Sequence, residues 1–320
     1  MSDTRINDWS NYWTGRVANE AGAALVGVGI ETDETLAKLW AGVFDGLPAK
    51  TRVLDLACGA GAALKAAAKA GLKDLTGLDM VADAIVSLQR ELPQARGVVA
   101  PANQTGLTDN RFDLVVSQFG FEYAGAEETA HEVSRILAAG GQFAAICHYA
   151  DGAIADECQG RLDQLREIED CAFIPRAKDF FRATYATMAA ATREDAARAV
   201  NEANAKADAF KPASERLIAL AQDNRLNGLA GHLYQGAAQL FERRAAYALI
   251  DVETWLDGMQ GELDAYTGRM QSMVESALDA DKVRTVLEVF QAAGFEPGLP
   301  KEVKLAGSER PSAWFLRAGT

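Results

Sequence analysis

Asp55 interrupts the apolar run Val53, Leu54, Leu56, and Asp79 closes the short run Leu75 to Leu78, twenty residues past Gly59. Between the two acids the chain strips itself nearly bare at Gly59-Ala60-Gly61 and then reads as an Ala-rich helix. A carboxylate inside an apolar strand is costly unless it meets hydrogen-bond donors or a positive ligand. A glycine turn between strand and helix lets a ligand approach the backbone closely. It also aims the free N–H groups of the helix start at that ligand. An acid that ends the second strand can accept both hydroxyls of a ribose. The combination points to an adenosine-type ligand, with Asp55 placed to orient a positively charged tail. Tight strand–helix packing is the plain structural alternative for the small residues.

In an open parallel sheet a ligand lies at the carboxyl ends of the strands, so the residues after strands four and five matter next. These are Gly120 to Tyr123 and His148 to Asp151. Because an unperturbed imidazole titrates at about 6.5, His148 is the first choice for a general base; a hydrogen-bonded histidine at a strand end is the alternative. Glu122 and Tyr123 are candidates to bind or deprotonate a substrate, or else to hold a covering segment. Cys58 reads as a compact filler whose backbone touches the ligand, because an attacking thiol needs an activating base. His131 falls within a helix and reads as structural, and His232 as a pocket or surface residue. The amino-terminal "DWSNYWTGR" is unusually aromatic. Trp9, Tyr12 and Trp13 are suited to fold over the mouth of the site, with Arg16 to meet a ligand carboxylate; packing on the sheet edge is the competing use.

The elements that must hold these residues follow from periodicity. Residues 34–46 put Leu36, Leu39, Trp40, Val43 and Phe44 on one helical face. Strands are expected at 52–57, 75–79, 97–100, 112–119 and 142–149, with helices at 61–71, after Met80 and at 127–138 between them. Strands alternating with helices of about a dozen residues imply βαβ units, a parallel sheet and helices on both faces. The alternation stops near Asp151, and the next roughly 130 residues are Ala-rich and helical in period, with Thr192 to Asp195 as a capping box. A helix at 281–293 and candidate strands in "KEVKLAG" and "SAWFLRA" then resume the sheet.

Several of these pieces resemble the class I S-adenosylmethionine-dependent methyltransferases. "VLDLACGAG" is similar to the family's first motif, with Ala57 in place of its usual first glycine. "GLDMVADAI" is similar to the second motif, which implies Asp79 as ribose acceptor and Met80 against the adenine. "RFDLVVSQFGFEYAG" and "EVSRILAAGGQF" resemble the fourth-strand motif and the turn into strand five, the latter without the family's proline. The resemblance further implies cofactor contacts from Ala102, Asn103 and Gln104, where the family usually has an acid after strand three, and from Ser117, Gln118 and Phe119. It implies a Rossmann-like, seven-stranded, mostly parallel sheet with an antiparallel last strand, interrupted by a large helical insertion. The expected organisation is a helical cover at 1–50, the cofactor-binding domain at 51–150 and 281–320, and a helical lid at 151–280. The implied activity is methyl transfer from S-adenosyl-L-methionine to a small, partly apolar molecule by in-line displacement.

Composition narrows the rivals. Of 320 residues, 49% are hydrophobic and 24% charged, and the net charge is −13. A phosphate backbone needs a basic face, so a nucleic-acid partner is not expected. No signal peptide or apolar run of about 20 residues is present, so the expectation is a cytoplasmic protein without a membrane span. Four cysteines without a C-x-x-C pair, and three scattered histidines, suggest no metal site. The insertion also offers a surface for a homodimer. An NAD(P)-dependent oxidoreductase is the first rival, disfavoured by Leu64 where G-x-G-x-x-G needs its last glycine. A non-catalytic binding relative is the second.

Overall fold

The computed structural model describes Trp9, residues 34–223 and residues 228–319. Tyr12, Trp13 and Arg16 lie outside the described residues. The chain divides into two compact units, one of Met1–Gln159 with Gly268–Thr320, the other of Gly160–Thr267.

The first unit opens with helix α1 (Glu34–Phe44), whose Leu36, Trp40, Val43 and Phe44 are buried at helical spacing. The alternating part follows as β1 (Arg52–Leu56), α2 (Ala62–Lys69), β2 (Asp74–Asp79), α3 (Ala82–Glu91), β3 (Arg96–Val99), β4 (Phe112–Gln118), α4 (Ala126–Ile136) and β5 (Leu137–His148). After the helical segment come α10 (Ala280–Ala292), β6 (Glu296–Pro297), β7 (Lys301–Val303) and β8 (Ala313–Gly319). Asp279 caps α10 by accepting the Lys282 N–H at 2.8 Å, as an N-cap aspartate should.

The strands form one sheet of eight in the order β3-β2-β1-β4-β5-β8-β6, with β7 also on β8. β1 to β5 pair in parallel, and β8 runs against its neighbours. The eighth strand, beyond the seven expected, is the two-residue β6. β5 starts at Leu137 rather than Gln142: Gly140, at φ 76°, sits inside an irregular stretch of pairing that the Gly-Gly pair had marked as a stop.

The sheet is covered on both faces, and β1 shows how. Val53 joins the core made with α1, α2 and α3. Leu54 and Leu56 point the other way, into the core made with α4 and α10. Burying one such side chain contributes about 1.5–3 kcal/mol, so the period-two pattern fixes the register firmly. Asp55 shares the Val53 face, and its carboxylate is therefore held inside the fold rather than at its rim.

Helices make up the second unit. The end of α5 (Ala153–Asp170) leads to α6 (Phe173–Ala189), α7 (Arg193–Asp223), α8 (Leu229–Glu242) and the greater part of α9 (Leu249–Ser276). Phe180 joins three of these, stacking on Phe210 of α7 at 5.6 Å and meeting Phe241 of α8 at 5.2 Å. At the start of α7, Thr192 accepts the Asp195 N–H at 3.1 Å, while its hydroxyl donates to the Asp195 carboxylate at 2.6 Å. This is half of the expected capping box, the acid being too short to reach back to the backbone. No described helix is long and apolar enough to cross a membrane.

Candidate functional site

Strand order reverses between β1 and β4, because β2 and β3 lie on one side of β1 and β4 on the other. Such a switch point opens a crevice beyond the carboxyl ends of the strands. A cavity of about 110 Å³ lies there. Ala57 and Gly59 form its floor after β1, Leu78 to Val81 the wall after β2, and Ala100 and Ala102 the wall after β3. Phe119, Gly120, Tyr123 and Ala124 close the β4 side, and Trp9 lies at the edge with its ring 5.4 Å from that of Tyr123.

The floor depends on backbone that most residues avoid. Ala57, Gly59 and Gly61 all have positive φ, at 52°, 50° and 76°. A left-handed alanine costs about 1–2 kcal/mol, and its Cβ also needs space. Gly120 provides that space, since a Cβ on residue 120 would stand 2.5 Å from the Ala57 Cβ and 3.0 Å from its carbonyl oxygen. The missing glycine at 57 is thus accommodated by a glycine across the cavity. Gly61 and Gly77 make room for Leu88, which wedges α3 against the turn.

Asp79 lies in the wall of the cavity, while Asp55 is buried in β1, two residues before the floor, and does not line it. Asp79 accepts the Gly59 N–H on Oδ2 and the Val81 N–H on Oδ1, each at 3.0 Å. The Met80 N–H is a third backbone donor to it; a carboxylate has roughly four acceptor positions, so about one remains for a ligand. Burial raises its pKa, opposed by those backbone N–H groups. Asp55 is 1% exposed, and its Oδ1 has no hydrogen-bond partner among the described residues. Burial, and then the charge of Asp79, raise its pKa well above the ordinary carboxylate range. With one backbone donor, the Leu64 N–H, and a second acid nearby, this buried acid is favoured as a protonated group or against a cation. A ligand carrying a ribose and an ammonium group fits both demands.

The three candidate catalytic side chains come together. Glu122 Oε1 accepts the His148 backbone N–H at 2.9 Å and lies 2.7 Å from the ring Nδ1. The His148 ring packs 4.5 Å from Phe119 and 5.8 Å from Tyr123. Leu278 fixes the end of β5, donating to the His148 carbonyl at 2.9 Å. Phe119 and Tyr123 reach the cavity, and the imidazole stands behind them. Burial, followed by the charge of Glu122, pushes the Tyr123 hydroxyl well above its usual range.

Other expected contacts have structural partners. Ser117 donates to the Leu56 carbonyl at 2.7 Å, and Gln118 accepts the Trp40 indole N–H at 2.6 Å. Asn103 donates to the Ala124 carbonyl at 2.7 Å, while Gln104 is exposed. None of these four side chains lines the cavity, whereas Met80 and Ala102 do. Cys58 is buried against Gly77, and burial followed by both acids keeps its thiol protonated. His131 and His232 are exposed. Leu78, Val81, Ala100 and Ala124 line the cavity without having been singled out; the strand-end positions of Leu78 and Ala100 were the available signal. No cluster able to hold a metal occurs among the described residues.

Residues 54–145 match the family model of a methyltransferase domain. No curated protein matches the chain. Similar solved structures include the YcgJ protein of Bacillus subtilis, at 23% identity over 42% of this chain and 58% of that one, with a TM-score of 0.35. The PH0226 protein of Pyrococcus horikoshii OT3 is 25% identical over 36% of this chain and 56% of its own, with a TM-score of 0.32. Geranyl diphosphate C-methyltransferase of Streptomyces coelicolor A3(2), solved with S-adenosyl-L-homocysteine, is 16% identical over 36% and 46%, with a TM-score of 0.33. The chain thus spans about half the length of the solved structures that it matches.

Proposed function

We propose, from the premise that residues 54–145 are a class I S-adenosylmethionine-dependent methyltransferase domain, that this chain methylates a small, partly apolar organic molecule. The observation that carries the reading is the cavity at the switch point, with Asp79 in its wall and Asp55 buried in β1 with one carboxylate oxygen unpartnered.

The cofactor, when bound, supplies a methyl group on a positively charged sulfur. Asp79 keeps an acceptor position for a ribose hydroxyl, and Met80 and Ala102 give the base an apolar wall. Asp55 is the counter-charge for the ammonium of the amino-acid tail, directly or through water. The bare floor at Ala57 and Gly59 admits the ligand to backbone distance. Alignment and exclusion of water, worth up to about 7–11 kcal/mol, are the protein's main tasks in such a displacement. Phe119 and Tyr123 exclude water on the β4 side.

Where the acceptor must lose a proton, His148 is the base. Glu122, bound to Nδ1, sets the tautomer that leaves Nε2 to accept it. Calorimetric titration of S-adenosylhomocysteine against NADH tests the assignment. Binding of the homocysteine compound alone is expected; tight binding of NADH alone would replace the methyltransferase by an oxidoreductase.

A further inference from the structure

A second pocket of about 460 Å³ lies in the same unit, and Tyr123 lines both it and the cofactor cavity. Its wall carries Glu122, Glu127, Glu128 and Glu275, with Lys282 as its one cation. Lys282 is already committed: its ammonium donates to the carbonyls of Ala277 at 3.0 Å and Glu275 at 3.3 Å. Glu275 is engaged as well, accepting from Gln271 at 2.8 Å. Glu127 and Glu128 stand in the first turn of α4, where the helix dipole alone favours acids. That explanation does not extend to Glu122.

Glu122 precedes α4 in a 3-10 turn, its side chain is 0% exposed, and its Oε1 is taken by His148. Its Oε2 is buried and accepts no N–H or O–H hydrogen bond from any described residue. The Cys147 thiol, pushed up by burial and then by the charge and hydrogen bonding of this carboxylate, is the one weak donor beside it. A buried carboxylate oxygen with only a thiol for a neighbour recovers little of its desolvation, so a strong donor from outside would stabilise the site. An anion is repelled by four carboxylates, and no metal-binding cluster is present among the described residues.

We infer that this pocket binds an organic ammonium group, held by Glu122 Oε2 and attracted by Glu127 and Glu128, and that the methyl acceptor is therefore an amine. This rests on the methyltransferase reading and narrows it to nitrogen-bearing substrates. Tyr123 lines both this pocket and the cofactor cavity, which places the two side by side.

The test is calorimetric titration with 2-phenylethylamine and its neutral counterpart 2-phenylethanol, with S-adenosylhomocysteine titrated in parallel. The amine is expected to bind at least about 10-fold more tightly than the alcohol. Glu122→Gln should remove most of that preference, and the exposed Glu128→Gln should reduce it about threefold. Equal binding of amine and alcohol overturns the inference. So does a preference that survives Glu122→Gln, since the overall charge would then explain it. Should Glu122→Gln fail to fold, an unchanged preference in Glu128→Gln overturns it instead. Binding of S-adenosylhomocysteine without any amine preference sinks the amine site alone, whereas failure to bind it sinks the methyltransferase reading.

Discussion

The bend after β1 and the bend after β4 both line the cavity, and each holds a non-glycine residue in left-handed backbone, Ala57 at φ 52° and Phe119 at φ 55°. The first is relieved by smallness: Ala57 carries a single methyl group, and Gly120 leaves room for it. The second is held by packing. Phe119 donates its N–H to the Ile146 carbonyl at 2.7 Å and lays its ring on His148. Strain of this kind costs about 1–3 kcal/mol and persists only where the surroundings fix it. One bend thus admits a ligand, and the other aims an aromatic ring at the same space.

The sharpest way to break this contrast is to add one carbon. Gly120→Ala places a methyl group on Ala57, and overpacking should cost about 1–3 kcal/mol in chemical denaturation. Adding Ala57→Gly should restore most of that stability. An additive double mutant would show that the two bends do not share their space.

The acids give the next effect. Asp55→Asn removes a buried acid from beside Asp79, and the ligand-free protein should gain about 1–2 kcal/mol near neutral pH. The sign follows from linkage. The folded-state pKa of Asp55 is raised, so its favourable contribution is fully present below the unfolded value near 3.8 and is lost as pH rises through the folded value. Thermal melts of the native protein should fall across that window, and those of Asp55→Asn should fall less. Equal slopes would place the buried carboxylate elsewhere in the account. The smallest effect is Ala57→Gly alone. Relief of left-handed strain against lost chain stiffness leaves a gain below about 1 kcal/mol, measurable as a shift in the urea midpoint; a loss would mean that Ala57 is not strained.

The two bends also differ in how far the sequence announces them. Val53, Leu54 and Leu56 before Gly59-Ala60-Gly61 mark a strand, a turn and a helix within sixteen residues, because local backbone demands leave local signatures. Asp79 was legible for the same reason, ending an apolar run. Nothing local marks Phe119 as left-handed, since its conformation is fixed by Ile146 and His148 across the sheet. Ser117, Gln118 and Asn103 stood at the expected places, yet their partners are Leu56, Trp40 and Ala124. Hydrogen bonds of that range are decided by packing. Glu122 and His148 were identifiable singly, and only the pairing of β4 with β5 brings them within 2.7 Å.

The central claim is that Asp79 holds the sugar of an S-adenosyl nucleoside. Calorimetric titration of S-adenosylhomocysteine into the native protein and into Asp79→Asn, with melts to confirm folding, addresses it directly. The expected result is binding weakened about 10- to 100-fold by the substitution, the range for a hydrogen bond to a charged group. Equal affinity in a folded Asp79→Asn protein, or no binding to the native chain, would contradict it.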